Sequence, residues 1–204
     1  MSLPRGLLAF AGAIFVFQQA PAVFGDFGTW IDLATPFVVL GVAAAALWNT
    51  VPAARAVALV GAILYADGHG IHLSANDIRH HELTGEAARV AHFWDERFGH
   101  LEWHLGWLVL LAAFCLADTR RGGPGRSECI VALLLGWALF TNTVEGGDWG
   151  LTVAAAPAFV AWAIVRPRRA AAACAAAMLL AVALIGAWAI WQGGVPQFSE
   201  VGWL

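Results

Sequence analysis

The sequence predicts an all-α polytopic membrane protein, a bundle of about seven transmembrane helices forming a single domain over residues 1–204. Three observations predict it. The chain is 60% hydrophobic and only 12% charged, whereas a soluble domain is about half apolar and about a quarter charged. Its apolar residues come in runs of roughly 20, the length that crosses a hydrocarbon core as a helix. Eleven tryptophans stand against one tyrosine, and indoles concentrate at membrane interfaces.

The runs fall at about 6–24, 31–50, 55–76, 99–117, 128–145, 149–165 and 170–192. In the first, Arg5 precedes an apolar stretch ending near "APA", the outline of a secretory signal peptide. Its length and the "QQ" at its end favour a retained span. The sixth run is short and carries Pro157, which predicts a kink. Between the third and fourth lies a polar segment at about 77–98. An interfacial helix is expected there around 83–97, with Ala87, Val90, Ala91 and Trp94 on one face.

Arginine placement sets the orientation. Arg5, Arg55, Arg120, Arg121, Arg126, Arg166, Arg168 and Arg169 fall on one side of the spans, and Arg79, Arg89 and Arg97 on the other. Loops rich in arginine stay in the cytoplasm. The expectation is therefore a plasma-membrane protein with a cytoplasmic N-terminus and, after seven spans, an external C-terminus. The net charge of −3 and the lack of a basic run beyond "RPRR" give no footing for nucleic acid. There is no lysine, which excludes a retinal Schiff base. Cys115, Cys129 and Cys174 lie in or beside apolar runs without a second cysteine at ligand spacing, so no disulfide framework is expected.

The chemistry gathers at the opposite end from most of the arginines. All seven histidines lie between His69 and His104, several of them in "YADGHGIHLSANDIRHHE". With a helical rise of 1.5 Å per residue, His69 falls about 9 Å below the outer boundary and His72 about 4–5 Å. His100 falls at that boundary, His104 about 6 Å below it and Glu145 about 6 Å below it. Tyr65, His69, His72 and Asn76 share one helix face, and Glu96, His100 and His104 form a second ladder. Polar groups at such depth must face one another or water.

Imidazoles and carboxylates converging from several helices suit a divalent transition metal, zinc first and iron or copper next. The expected ligands are His69, His104 and Glu145 as the deepest, with His72 and His100 close behind. Asp95 and Glu96 are expected to be catalytic proton carriers, or partners orienting imidazole N–H groups. Asp67 and Asp77 are further candidates for that orienting role. His80, His81 and His92 are expected in solvent. Gly68, Gly70, Gly99 and Gly106 are expected to permit close helix approach.

The function expected is a membrane metal-dependent enzyme acting on a lipid-like small-molecule substrate by hydrolysis or oxidation, with membrane lipids as its surroundings. Two alternatives stand beside it. One is a haem-binding electron-transfer protein with His69 and His104 as axial ligands. The other is a metal-free polar network in a transport or structural protein, although a transport path should carry polar residues through the whole thickness and the inner half is almost bare of them. In span count and intramembrane histidines the chain is similar to the seven-span hydrolase superfamily that contains alkaline ceramidases and adiponectin receptors. That superfamily takes a histidine pair from its last span, and here no histidine follows His104. The similarity is one of architecture and carries over no residues. The histidine boxes of membrane fatty-acid hydroxylases are not met, and G-x-S-x-G, P-loop and H-E-x-x-H motifs are absent from the sequence.

Overall fold

A computed structural model describes residues 1–24, 26–81 and 84–203, without the side chains of residues 22, 26 and 79–81. Among the described residues eight α-helices follow one another: α1 (Leu3–Val23), α2 (Asp26–Leu47), α3 (Pro52–His81), α4 (Glu86–Phe93), α5 (His100–Ala117), α6 (Arg126–Glu145), α7 (Trp149–Val165) and α8 (Arg169–Gln192). A π-helical turn, Trp94–Gly99, joins α4 to α5, and a 3₁₀ turn, Ser199–Val201, ends the chain. Among the described residues there is no strand, only an isolated bridge between Arg121 and Arg168.

The protein is thus all-helical, and among the described residues six helical stretches are long and apolar enough to cross a membrane. They are α1, α2, α3, the continuous run Glu86–Ala117, α6 and α8. The sixth expected run is α7, which is apolar but only 17 residues long. The helix expected around 83–97 and the fourth span form one helical run. Phe93, Trp94, Gly99 and His100 all keep right-handed helical backbone. No proline interrupts this stretch, and Gly99 is held helical by the neighbour it packs against.

That neighbour is α3. The two helices run antiparallel at a distance that only glycine allows. A Cβ on Gly68 would lie 2.3 Å from the Trp103 backbone nitrogen, and one on Gly106 would lie 2.3 Å from that of Tyr65. A Cβ on Gly99 would come within 3.0 Å of the His72 nitrogen. Small residues at such crossings let backbones approach and side chains interdigitate. Gly70 is different, because nothing lies within 4 Å of the position its Cβ would take. It sits on the outward face of α3, one residue out of register with the seam. On the far side of the bundle the alanine-rich α8 packs on α6, burying Ala170, Ala173, Cys174, Ala177 and Met178.

The arginine-rich end is closed by a buried carboxylate. Asp118 accepts from Arg120 Nε at 2.9 Å and from the Ala170 backbone N–H at 2.8 Å. Arg120 reaches on to Glu128 at 2.7 Å, and Arg168 donates to the Asp118 carbonyl at 2.7 Å. The turn between α5 and α6 is thereby fastened to the start of α8. The histidines occupy the opposite end.

Gly106→Ala should be costly because backbone must shift to admit the methyl group, at about 1–3 kcal/mol for overpacking. Gly70→Ala should be neutral or slightly stabilising, since it removes backbone freedom in a helix. Thermal unfolding of the two variants in detergent micelles compares them. Equal midpoints would show that the close approach of α3 and α5 is not needed for the fold.

Candidate metal centre

Three elements supply the centre. His72 comes from α3, His100 from the first turn of α5, and Asp95 from the π turn between α4 and α5. The π turn is what unites the last two. In an α-helix, residues five apart lie on different faces. The π turn bonds residue i to i+5, and here the His100 N–H donates to the Asp95 carbonyl. Asp95 and His100 are therefore set side by side. Such bulges recur at functional sites.

One donor atom each from His72, Asp95 and His100 lies within 4.8 Å of the others. His72 Nδ1 is 2.6 Å from Asp95 Oδ1, and His100 Nδ1 is 3.9 Å from the same oxygen. The His72 and His100 rings are 4.5 Å apart between centroids. Ligands in a tetrahedral zinc shell with bonds near 2.0–2.1 Å lie roughly 3.3 Å apart. The observed separations bracket that value, so small side-chain rotations suffice. Two imidazoles with one carboxylate also match the donor types that zinc and non-haem iron prefer. The residues fit a metal ion.

Further carboxylates surround the trio. Glu96 Oε2 lies 3.8 Å from His100 Nδ1, and Asp32 Oδ2 lies 3.8 Å from His72 Nε2. Asp95 and His100 are buried, while His72 and Glu96 are partly exposed. Glu96 is held by the C-terminal segment, whose Gln197 Nε2 donates to Glu96 Oε2 at 2.8 Å.

His69 and His104 are not part of the trio. Trp103 sits at the hub of the histidines, with ring centroids 4.4 Å from His69, 5.3 Å from His72, 6.0 Å from His100 and 5.2 Å from His104. His69 Nε2 lies 2.9 Å from the Asp32 carbonyl oxygen. A carbonyl only accepts, so Nε2 carries the proton. His104 Nδ1 lies 2.8 Å from Asp148 Oδ2. The remaining nitrogens, His69 Nδ1 and His104 Nε2, are buried without a hydrogen-bond partner among the described residues. His69 is tied to the Asp32 backbone carbonyl and His104 to the Asp148 carboxylate, and both rings pack on Trp103.

Beside the trio opens a cavity of about 370 Å³. His72, His100 and Trp103 form one wall, with Asp32 beside them. Gln18 and Gln19 of α1 and Trp137, Phe140, Thr141, Asn142 and Glu145 of α6 form the others. Phe198 and Trp203 close it from the C-terminal segment. Gln19 donates to Thr141 Oγ1 and Gln18 to the Tyr65 hydroxyl, both at 2.9 Å, which fixes α1 against α6 and α3. The C-terminal segment is seated by Phe198, which is buried against Phe140 and Trp188. Glu145 Oε2 accepts the Ser199 N–H at 3.2 Å. Neither His69 nor His104 lines this cavity.

The expected ligands thus divide. His72 and His100 meet, Asp95 joins them, and Glu96 stands next to His100. His69 and His104 flank Trp103, and Glu145 is a wall of the cavity. Asp67 and Asp77 are exposed and are not part of the trio. His92 has a 59% exposed side chain, with Nδ1 4.0 Å from Glu96 Oε1. The side chains of His80 and His81 lie outside the described residues. Sequence reasoning passed over Asp32 and Asp148 as partners of histidine. Asp32 is a carboxylate nearly two turns into an apolar helix, a signal in itself. Asp148 follows the Gly146–Gly147 turn, where Gly147 adopts φ +67°, and nothing in its local sequence points to His104.

No protein-family model, curated protein or solved structure matches this chain.

Proposed function

We propose that the chain is an integral-membrane enzyme that uses a divalent transition metal, zinc first, to hydrolyse an ester or amide bond in a lipid-like amphiphile. The observation that carries this reading is the His72–Asp95–His100 trio at the wall of the 370 Å³ cavity. A zinc ion with three protein ligands keeps a position open, where it polarises a carbonyl and lowers the pKa of water. Seven spans with the N-terminus in the cytoplasm would place this centre near the outer face of the plasma membrane, at the level of headgroups and upper acyl chains.

The chain's own groups have definite tasks under this reading. His72, His100 and Asp95 hold the ion. Asp95 is a ligand here and leaves proton transfer to Glu96, which lies beside His100 and is positioned by Gln197. Asp32 orients His69 and lies within reach of His72. The aromatic groups of α6 and of the C-terminal segment receive the apolar part of the substrate and keep water out. A second reading rests on the same trio. Two histidines and one carboxylate also form the ligand set of non-haem iron oxygenases, which would make the reaction an oxidation of the same kind of amphiphile.

Elemental analysis of detergent-purified protein separates these readings. Wild type should carry close to one equivalent of metal. His72→Ala, His100→Ala and Asp95→Ala should each lower occupancy at least about tenfold, the scale seen for groups that hold or orient a metal. His69→Ala and His104→Ala should keep it. Iron together with oxygen uptake would favour oxidation over hydrolysis. A wild type without metal after reconstitution would leave a polar network and end the proposal.

Glu96→Gln should retain metal and lose turnover on ester- or amide-linked amphiphiles by about 10²–10⁴-fold, the contribution of a positioned proton carrier. Unchanged turnover in that variant would remove Glu96 from the mechanism.

A further inference from the structure

The loops at the arginine-rich end carry more positive charge than the fold uses. Only two carboxylates lie toward that end, Asp118 and Glu128. Both are taken up by Arg120, by backbone N–H groups and by Ser127. The loop between α5 and α6 and the loop between α7 and α8 are zipped together beside them. Gly122 N–H donates to the Pro167 carbonyl at 3.1 Å, and Arg169 N–H to the Arg120 carbonyl at 3.0 Å. Arg121 is thereby bridged to Arg168 in antiparallel fashion. Like charges set directly opposite each other destabilise a pairing of this kind. Arg121, Arg166 and Arg168, with Val165 and Pro167, line a pocket of about 340 Å³.

We infer that this pocket binds a phosphate monoester carried by a membrane lipid. Arg168 gives Nη1 to the backbone carbonyls of Asp118 and Leu116, at 2.7 and 3.4 Å. Those acceptors fix the side chain and leave its charge unbalanced. The side chains of Arg121 and Arg166 are exposed and have no hydrogen bond or ion pair among the described residues. Guanidinium groups match phosphate oxygens as planar two-pronged donors. A monoester offers three terminal oxygens and close to two negative charges, which suits several arginines around one pocket better than a singly charged diester does. The apolar side of the pocket points to a lipid as the carrier. Val165 lines it, and Ile164 and Val165 are 74% and 76% exposed at the end of α7. A phosphate held at the arginines would let its acyl chains lie along that helix, and basic pockets at the ends of membrane helices suit acidic lipid heads. The site lies at the opposite end of the bundle from the metal centre and does not depend on it.

The test titrates the full chain, in neutral maltoside micelles, with dihexanoyl phosphatidic acid, dihexanoyl phosphatidylserine and glycerol 3-phosphate. Native mass spectrometry counts the bound ligand. The expected result is one phosphatidic acid per chain, bound at least about tenfold tighter than either of the others, about 1.4 kcal/mol. Arg121→Gln and Arg166→Gln should each weaken it at least about fivefold, the loss of a charged pair of donors to phosphate. Both side chains are exposed, so the unfolding midpoint should stay in place. Arg168 is left unaltered because it also holds the Asp118 carbonyl. Arg5→Gln and Arg55→Gln remove the same charge outside the pocket and should change binding by less than about twofold, since exposed charges beyond a Debye length are screened. Equal binding of phosphatidic acid and phosphatidylserine, or equal losses from all four variants, means diffuse charge attraction and overturns the inference. Absence of binding overturns it as well. Glycerol 3-phosphate binding as tightly as phosphatidic acid overturns the lipid in favour of a soluble phosphate.

Discussion

The close approach of α3 and α5 is the constraint on which the histidine end depends. Gly68, Gly99 and Gly106 remove the side chains that would hold these two helices apart. Side chains at the crossing must then interleave, and Trp103 fills the space between the histidines of both helices. Without the glycines the helices would separate by the width of a methyl group or more. His72 would then move away from His100, and the indole would lose its contacts on one side. The seam is a packing device, yet it decides which ligand atoms can meet.

A second constraint is the cost of carboxylates away from water. The two ends of the bundle meet it differently. At the arginine end, Asp118 is satisfied by Arg120, by the Ala170 N–H and by its position in a tight turn. That arrangement is complete and asks for nothing further. At the histidine end, the described partners of the carboxylates include imidazoles, an amide and a backbone N–H group. Asp32, through its backbone carbonyl, and Asp148, through its carboxylate, orient the rings of His69 and His104. Asp95 lies against His72, Glu96 accepts from Gln197 and Glu145 accepts the Ser199 N–H.

The π turn deserves the same physical reading. It costs regular α-helical hydrogen bonding over Trp94–Gly99, and such turns persist where surrounding contacts hold them. Here Gly99 is pressed on α3 and Asp95 is bonded to His72. The turn and the trio therefore support each other, and neither is a local property of the segment.

Much of this was legible in the chain. Twenty-residue apolar runs determined a helical membrane protein, because a backbone in hydrocarbon has to satisfy its own hydrogen bonds. The confinement of all seven histidines to one stretch, with eight of the eleven arginines at the other end, determined a polar pole, because periodicity along helices fixes depth. His72 and His100 could be expected to meet, since depth and face agreed. What only the tertiary structure decided is how the helices are rotated and paired. Asp95 entered the trio through a π turn that α-helical periodicity does not contain. His69 and His104 turned to Asp32 and Asp148 because helices α2 and α7 came to lie beside them. Depth follows from a rise per residue along one chain. A shared ligand position depends on rotation about each helix axis, which is set by packing between residues far apart in sequence.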